Sequence, residues 1–433
     1  MKSQARAESR GGARNFWVLA HRYAGLFIAF FLIVAGITGT ALAFLDELDS
    51  WLNPELFLVE ERSTPALDAD ALAGEVGRQY PDAWVTLLTL DRDPGHSVRV
   101  RLSHRHTTPD SGPQSWTEIF VDPFDGRVLG GRNRGVFHAD RAHFMPFLYS
   151  VHYTLYLPKN WGVWLFGIAA LVWVFDCFVG FYLTLPRRTA AGAQGSRSWW
   201  VRWQTSWKIK RGASATRLNF DLHRANGLWF WPVLGVLAFT GVYFNLTNQV
   251  FRPIVSVFST LAPNVTETAT ALPAAQEPRR ISFAEAIERA REQLSPKSRQ
   301  MEPAYIGLMP DAPGIYRVRF ADVDRGDANW RFRYEMLYID GTTGDLAFSR
   351  GHHLGSAGDK FLLWQYPMHS GQLFGFWGRV FIGIVGLIVT MLSITGVLIW
   401  LKKRRAALAS ETARGSRSRI PSLAVAGETS SRL

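Results

Sequence analysis

The chain of 433 residues carries 48 Lys+Arg against 36 Asp+Glu, a formal charge of +12, and a single cysteine, Cys177. One cysteine excludes an intrachain disulfide, a cysteine-based zinc site, a protein-bound iron–sulfur cluster and c-type haem attachment, which needs Cys-x-x-Cys-His. A mean hydropathy of −0.01 averages four long apolar blocks with strongly charged stretches between them.

In chain order, residues 1–15 carry Lys2, Arg6, Arg10 and Arg14 and read as a cytoplasmic N-terminus. The first apolar block, 16–45, reads as a transmembrane helix, since each of the four blocks reaches the ~20 residues needed to cross the hydrocarbon core. Ala41-Leu42-Ala43 resembles a leader-cleavage site. The block is far longer than a signal h-region of about 7–15 residues, so the helix is expected to be retained. Residues 46–146 form an external α+β domain, with a helix over Asp68–Gln79, strands at Trp84–Leu90, Ser97–Leu102 and Trp116–Val121, and an Asp125-Gly126 turn. Residues 147–185 are a lead-in followed by the second transmembrane helix. The loop 186–220 holds eight bases and no acid.

The third transmembrane helix is placed at 221–246, and a second external α+β domain at 247–366. Ser282-Phe283-Ala284-Glu285 is a capping box opening a helix to about Leu294. Strand-like runs follow at Ala304–Met309, Ile315–Phe320 and Arg331–Ile339, then Asp340-Gly341. Stretches 60–66 and 260–280 read as linkers. The fourth transmembrane helix lies in 367–401, and 402–433 is a basic tail with eight bases. Basic segments stay cytoplasmic, so both termini are expected inside and both α+β domains outside. The positive balance is then a topology signal plus attraction to anionic lipid and needs no nucleic acid.

The chain reads as a duplication. His21-Arg22-Tyr23-Ala24-Gly25-Leu26 recurs as His223-Arg224-Ala225-Asn226-Gly227-Leu228, and at the same offset of 202 Thr38-Gly39 recurs as Thr240-Gly241. Trp161-Gly162, Gly167 and Gly180 recur as Trp377-Gly378, Gly383 and Gly396, at offset 216. The fold class expected is an α-helical membrane protein. A duplicated helix–domain–helix unit makes a four-helix transmembrane bundle with two small α+β external domains, related by a pseudo-two-fold axis along the membrane normal.

The duplication also pairs histidines. His21 and His223 lie near the cytoplasmic ends of helices one and three; His152 and His369 lie just before helices two and four. Two layers of two imidazoles suit two bis-histidine b-type haems, each iron taking an axial ligand on either side of the porphyrin. The layers are expected roughly 20–30 Å apart. Spacing alone leaves a bare metal site open, though nearby carboxylates are too few for a hard ion. Arg22 and Arg224 follow the inner pair and can meet haem propionates. Gly25, Gly227, Gly36, Gly167 and Gly383 would let a flat macrocycle approach the backbone.

His138, His143, His352 and His353 form a second near-repeat, either as alternative outer ligands, as lining of a substrate mouth, or as polar loop residues on the membrane surface. His104-Arg105-His106 reads as an exposed strand, because no third metal ligand is visible. Asp176 is unusual at its depth in helix two and is a candidate for a proton path; it aligns with Leu392 in the second half. Cys177 beside it reads as packing. No phosphate loop, dinucleotide fingerprint, nucleophile elbow or His-Glu-x-x-His motif occurs.

The His-Arg-x-x-Gly-Leu helix start, the Thr-Gly seventeen residues on and the duplicated plan resemble the PepSY-associated transmembrane proteins, also called iron-regulated membrane proteins, over about 16–405. Within that family the chain looks most like the diheme bacterial inner-membrane ferric-siderophore reductases (FoxB-type). The resemblance implies PepSY-like periplasmic domains, two haem b per chain and periplasmic reduction of Fe(III) chelates. It also implies a separate electron donor, because the flavin domain of some relatives is missing here. A second class stays open, in which the helices only anchor external domains that bind a chelate, a peptide or a protein partner. A permease is a weaker alternative, since no broken helix or central charged pair is visible.

Overall fold

The computed structural model describes residues 2–91, 93–104, 113–187, 198–262, 281–309, 312–322 and 333–418. Arg105, His106 and most of the linker 260–280 lie outside the described residues.

Among the described residues, four segments are long and apolar enough to cross a membrane: Gly12–Leu42, Asn160–Thr184, Trp231–Ser256 and Gln372–Thr412. They belong to α1 (Lys2–Leu42), α6 (Lys159–Thr184), α9 (Trp231–Leu246) with α10 (Arg252–Ser256), and α13 (Gly375–Ser418). A helix closes all its own backbone bonds, which is why uniformly apolar runs of this length take that form. The stretch placed at 221–246 is two helices, α8 (Ala215–Trp229) and α9. Pro232 has no N–H with which to tie the start of α9 onto α8. The lead-in before α6 is likewise a separate helix, α5 (Arg141–Thr154).

The chain forms two compact units. The first comprises residues 1–33, 176–231 and 391–433. It holds the start of α1, the end of α6, α7 (Trp199–Gln204), α8 and the end of α13. Within it Arg14 donates to the carbonyls of Leu183 and Leu185 at 2.8 and 3.1 Å, fixing α1 to the end of α6.

The second unit, 34–175 and 232–390, holds α2 (Leu45–Leu52), α3 (Pro54–Phe57), α4 (Ala69–Gln79), α5, α11 (Phe283–Glu292), α12 (Ala357–Ser370) and all the strands. Asp68 caps α4 by accepting from Ala71 N–H, and Ser282 caps α11 by accepting from Glu285 N–H. Strands β1 (Ala83–Thr89), β2 (Val98–His104), β3 (Glu118–Val121) and β4 (Val128–Arg132) make one antiparallel meander. Strands β5 (Glu302–Met309), β6 (Ala312–Ala321), β7 (Tyr334–Asp340) and β8 (Leu346–Gly351) make another.

These are not two separate small α+β domains, as the sequence predicts. They form one eight-stranded sheet in the order β4-β3-β2-β1-β5-β6-β7-β8. The join is antiparallel, Leu88 opposite Ile306 and Thr89 opposite Tyr305. A first strand left open would expose unpaired backbone groups, and pairing the two first strands removes both edges. Gly307 allows the join, since a Cβ there would collide with the Thr86 carbonyl of β1. A single core under α4 and α11 includes Leu72, Val76, Val100, Ile287, Val318 and Leu337. The Asp70 carboxylate of α4 accepts from the N–H groups of Phe283 and Ala284 at the start of α11, at 2.7 and 3.1 Å. Negative charge there also suits the helix dipole.

Candidate functional site: two histidine pairs

In the first unit His21 of α1 faces His223 of α8, with ring centroids 6.1 Å apart. In the second, His152 of α5 faces His369 of α12 at 6.4 Å. Two imidazoles on opposite sides of one metal ion need two metal–nitrogen bonds of about 2 Å and roughly 1 Å from each nitrogen to its ring centre, about 6 Å in all. Both pairs meet that separation.

The hydrogen bonds fix which nitrogen faces inward. His152 Nδ1 lies 2.9 Å from Thr38 Oγ1, and that hydroxyl donates its own hydrogen to the Val34 carbonyl at 2.6 Å. The imidazole must therefore be the donor. His369 Nδ1 donates in the same way to Thr240 Oγ1 at 2.7 Å, and Thr240 donates to Val236 O at 2.8 Å. His21 Nδ1 donates to the Asp176 carboxylate at 2.8 Å. His223 Nδ1 donates to the Leu392 carbonyl at 3.0 Å, with Thr395 Oγ1 at 3.1 Å. All four rings thus keep the Nε2 lone pair for a ligand. Donation of the second ring N–H to an oxygen is how metal-ligating histidines are oriented and made more basic.

Glycines seat three of the rings. A Cβ at Gly39, Gly180 or Gly396 would lie 3.0, 3.4 or 3.2 Å from the Cε1 atoms of His152, His21 and His223 respectively. The lead-in helices are shaped alike. Asp140 caps α5, which contains Pro146 and ends at Leu155 with φ 56°. A Ser356–Asp359 capping box opens α12, which contains Pro367 and ends at Gly371 with φ 74°. Gly162 and Gly378 then let α6 and α13 fold back against Thr154 and Gly371, where a Cβ would collide.

The residues present fit a haem better than a bare cation. Among the described residues no group of three or more His, Cys, Asp and Glu is placed to hold a metal ion. A two-histidine site suits a metal that brings its own equatorial ligands. One turn beyond His21, a Cβ at Gly25 would meet nothing within 4 Å; one turn beyond His223, a Cβ at Gly227 would meet only Leu392, at 3.8 Å. Gly36 and Gly167 do not serve a macrocycle: they admit Thr390 and Gly386 of α13, and Leu246 of α9. Gly383 lies 3.7 Å from the ring of Phe44.

The other candidates separate clearly. Arg22 follows His21 on α1, partly exposed. Arg224 is drawn to Asp221, at 2.9 Å, and to the Thr205 carbonyl, at 2.7 Å. His143 is structural: Nε2 accepts from Asn133 N–H at 3.1 Å and Nδ1 contacts Asp140 at 2.8 Å. His138 lies beside it with its ring tilted, ring centroids 4.5 Å apart. His352 and His353 sit 4.8 Å apart after β8, where the His353 N–H donates to Glu335 at 2.9 Å. Burial and the neighbouring His353 hold the His352 imidazole below its ordinary range. His104 Nε2 donates to the Trp116 carbonyl at 2.9 Å, as a strand residue does.

Sequence reasoning missed Thr38, Thr240 and Thr395 as histidine partners. The Thr38-Gly39 and Thr240-Gly241 repeat marked the first two without naming their partners, and Thr395 lies outside that repeat.

A family model described as the PepSY-associated TM region matches residues 18–403, and the chain belongs to that family. With its four long apolar helices it is a membrane protein. No curated protein matches it.

Proposed function

We propose that this member of the PepSY-associated family is a transmembrane haem b electron-transfer protein of the ferric-siderophore reductase (FoxB-type) kind. It reduces ferric chelates on the periplasmic side of a bacterial inner membrane. The observation that carries the reading is the pair of facing imidazoles at 6.1 and 6.4 Å, each ring tied through Nδ1. His21 and His223 would hold one haem, and His152 and His369 the other. Arg22 could pair with a haem propionate, whereas Arg224 is engaged by Asp221 at 2.9 Å. Haem b bound at each pair supplies a one-electron couple, so that reducing equivalents from a separate donor can reach Fe(III) across the membrane.

The chain's own residues do the rest. Thr38, Thr240, Asp176 and the Leu392 carbonyl keep each Nε2 unprotonated and aimed. The duplicated halves set the two histidines of each pair at matching positions. The basic segments at the N-terminus, in 186–220 and after 402 orient both termini to the cytoplasm, leaving the eight-stranded sheet outside to receive the chelate. Reduction replaces Fe(III) by the softer Fe(II), which hard oxygen donors hold less tightly, and iron is released.

The test is His369→Ala in the full chain. Loss of one haem and of ferric-chelate reduction, with insertion intact, supports the reading. Retention of both haems removes the His152–His369 assignment. Full tolerance of His21→Ala and His223→Ala would favour an anchored binding module.

A further inference from the structure

The segment between the second and third spans carries Trp199, Trp200, Trp203 and Trp207 within α7 and the 3₁₀ turn Thr205–Trp207 that continues it. At about 100° per residue these four positions fall within one arc of about 100° on the helix surface. The rings meet accordingly. Centroids lie 4.8 Å apart for Trp199–Trp200, 5.4 Å for Trp199–Trp203, 5.7 Å for Trp200–Trp203 and 5.3 Å for Trp203–Trp207. The indoles thus make one continuous patch. It is not a core: Trp200 is 64% exposed, and Trp199, Val201 and Trp207 are each exposed by more than a third.

Polar ties fix the level of the patch against the end of α6. Trp203 Nε1 donates to Thr184 Oγ1 at 3.3 Å, Ser206 Oγ to the Thr184 carbonyl at 2.9 Å and Arg202 to the Arg187 carbonyl at 2.7 Å. The Trp203 ring also meets Phe181 of α6, centroids 6.2 Å apart. From α8, Trp229 Nε1 donates to the Trp207 carbonyl at 3.1 Å and Arg224 to the Thr205 carbonyl at 2.7 Å. Thr184 is the last residue of an apolar span. The patch is therefore held where hydrocarbon gives way to headgroups, the level at which amphipathic indoles gather in membrane proteins. Charge points the same way. Lys208, Lys210 and Arg211 follow the patch and are exposed, and residues 186–217 contain no acid. Asp221, the next acid along the chain, takes Arg217 and Arg224, each at 2.9 Å. An exposed aromatic arc bordered by cations matches an anionic bilayer surface.

We propose that α7 and its 3₁₀ turn form a foot lying in the membrane–water interface, with the indole patch seated among the headgroups and Lys208, Lys210 and Arg211 on anionic lipid phosphates. The foot fastens the loop to the bilayer beside α8, the helix that carries His223. It depends on no haem, so it stands or falls apart from the reductase reading.

Nitroxide labelling of the full chain in nanodiscs tests this. Cys177→Ala removes the native thiol, and the label is placed at Trp200→Cys. Power saturation with oxygen, which partitions into lipid, and with a neutral nickel(II) chelate, which stays in water, reads the depth. Oxygen accessibility is expected to exceed nickel accessibility at this position. A label at Gln204→Cys, exposed at the edge of the arc, should agree in sense. Adding phosphatidylglycerol to phosphatidylcholine discs should raise the oxygen-to-nickel ratio at position 200 by about twofold at about 0.05 M ionic strength, and the gain should vanish at about 0.5 M. Lys208→Gln combined with Lys210→Gln should abolish the gain while leaving the backbone ties in place. Nickel accessibility above that of oxygen at both labelled positions puts the foot in water and overturns the proposal. Low accessibility to both reagents shows the patch covered by protein, a second copy or another partner, and overturns the lipid assignment. A ratio indifferent to phosphatidylglycerol, or a gain kept by the double variant, overturns the headgroup binding.

Discussion

Asp176 Oδ1 lies 2.8 Å from Nδ1 of His21, whereas at the position 216 residues on, Leu392 meets His223 through its backbone carbonyl at 3.0 Å. One aligned position thus serves both imidazoles, once through a side-chain carboxylate and once through a backbone carbonyl. If the pair holds a haem as proposed, the carboxylate would make His21 the more electron-rich ligand. In the sequence the alignment of Asp176 with Leu392 reads as a break in the repeat, but the Leu392 carbonyl meets His223 as the Asp176 carboxylate meets His21.

Asp176→Asn is therefore expected to keep haem at His21–His223 and raise its midpoint potential. Replacing a charge-assisted hydrogen bond by a neutral one loses about 1 kcal/mol. At about 60 mV per tenfold for a one-electron couple, the shift is on the order of 50 mV. Redox titration followed by absorption measures it. The couple at His152–His369 should not move, and an unchanged pair of potentials would show that Asp176 only packs.

Thr38→Val and Thr240→Val keep side-chain volume but remove the acceptor for Nδ1 of His152 or His369. Loss of such a partner typically costs about 10–100-fold in metal affinity. Faster haem transfer from the variant to an acceptor protein is the readout, with haem at the other pair retained. Equal transfer rates for variant and parent would sink the orienting role.

The eight-stranded sheet should be acid-sensitive through Glu118. Burial alone would raise its carboxyl, but Arg132, Arg134 and Arg99 outweigh that and hold it below the ordinary carboxylate range. Its contribution to stability is thus complete above the unfolded value of about 4.3 and is lost as pH falls through the lower folded value. Arg132 also bonds Asp49 at 2.8 Å, with both side chains buried. Arg132→Met, which removes the buried guanidinium shared by Asp49 and Glu118, is expected to cost about 3–5 kcal/mol. Thermal melts of variant and parent at pH 7 check it.

Glu335 behaves in the opposite sense. Burial raises its carboxyl, against the His353 N–H and Ser298 hydroxyl that favour the anion. The neutral form suits the fold, so its contribution is complete below about pH 4.3 and is lost as pH rises through the folded value. Glu335→Gln should melt higher than the parent near pH 8, with the gap closing as pH falls toward about 4.3. A gap independent of pH would contradict this.

Much of the site was legible because repeats fix position. His21 with His223, and His152 with His369, come from offsets alone, and Trp-Gly at 161–162 and 377–378 marks the close turn from lead-in helix to span. The β1–β5 join was not legible: Leu88 and Ile306 read as ordinary core alternation whether their strand is an edge or is paired. The threonines were hidden for a related reason. A hydroxyl that bonds the carbonyl four residues back looks the same in sequence whether or not an imidazole also reaches it.

The most direct measurement is the absorption spectrum of the purified full chain, oxidised and dithionite-reduced, with haem counted per chain after expression with ample haem supply. Facing imidazoles at both pairs predict two haem b per chain, both low-spin. A high-spin component would contradict one of the pairs, and a colourless protein would contradict the electron-transfer function altogether.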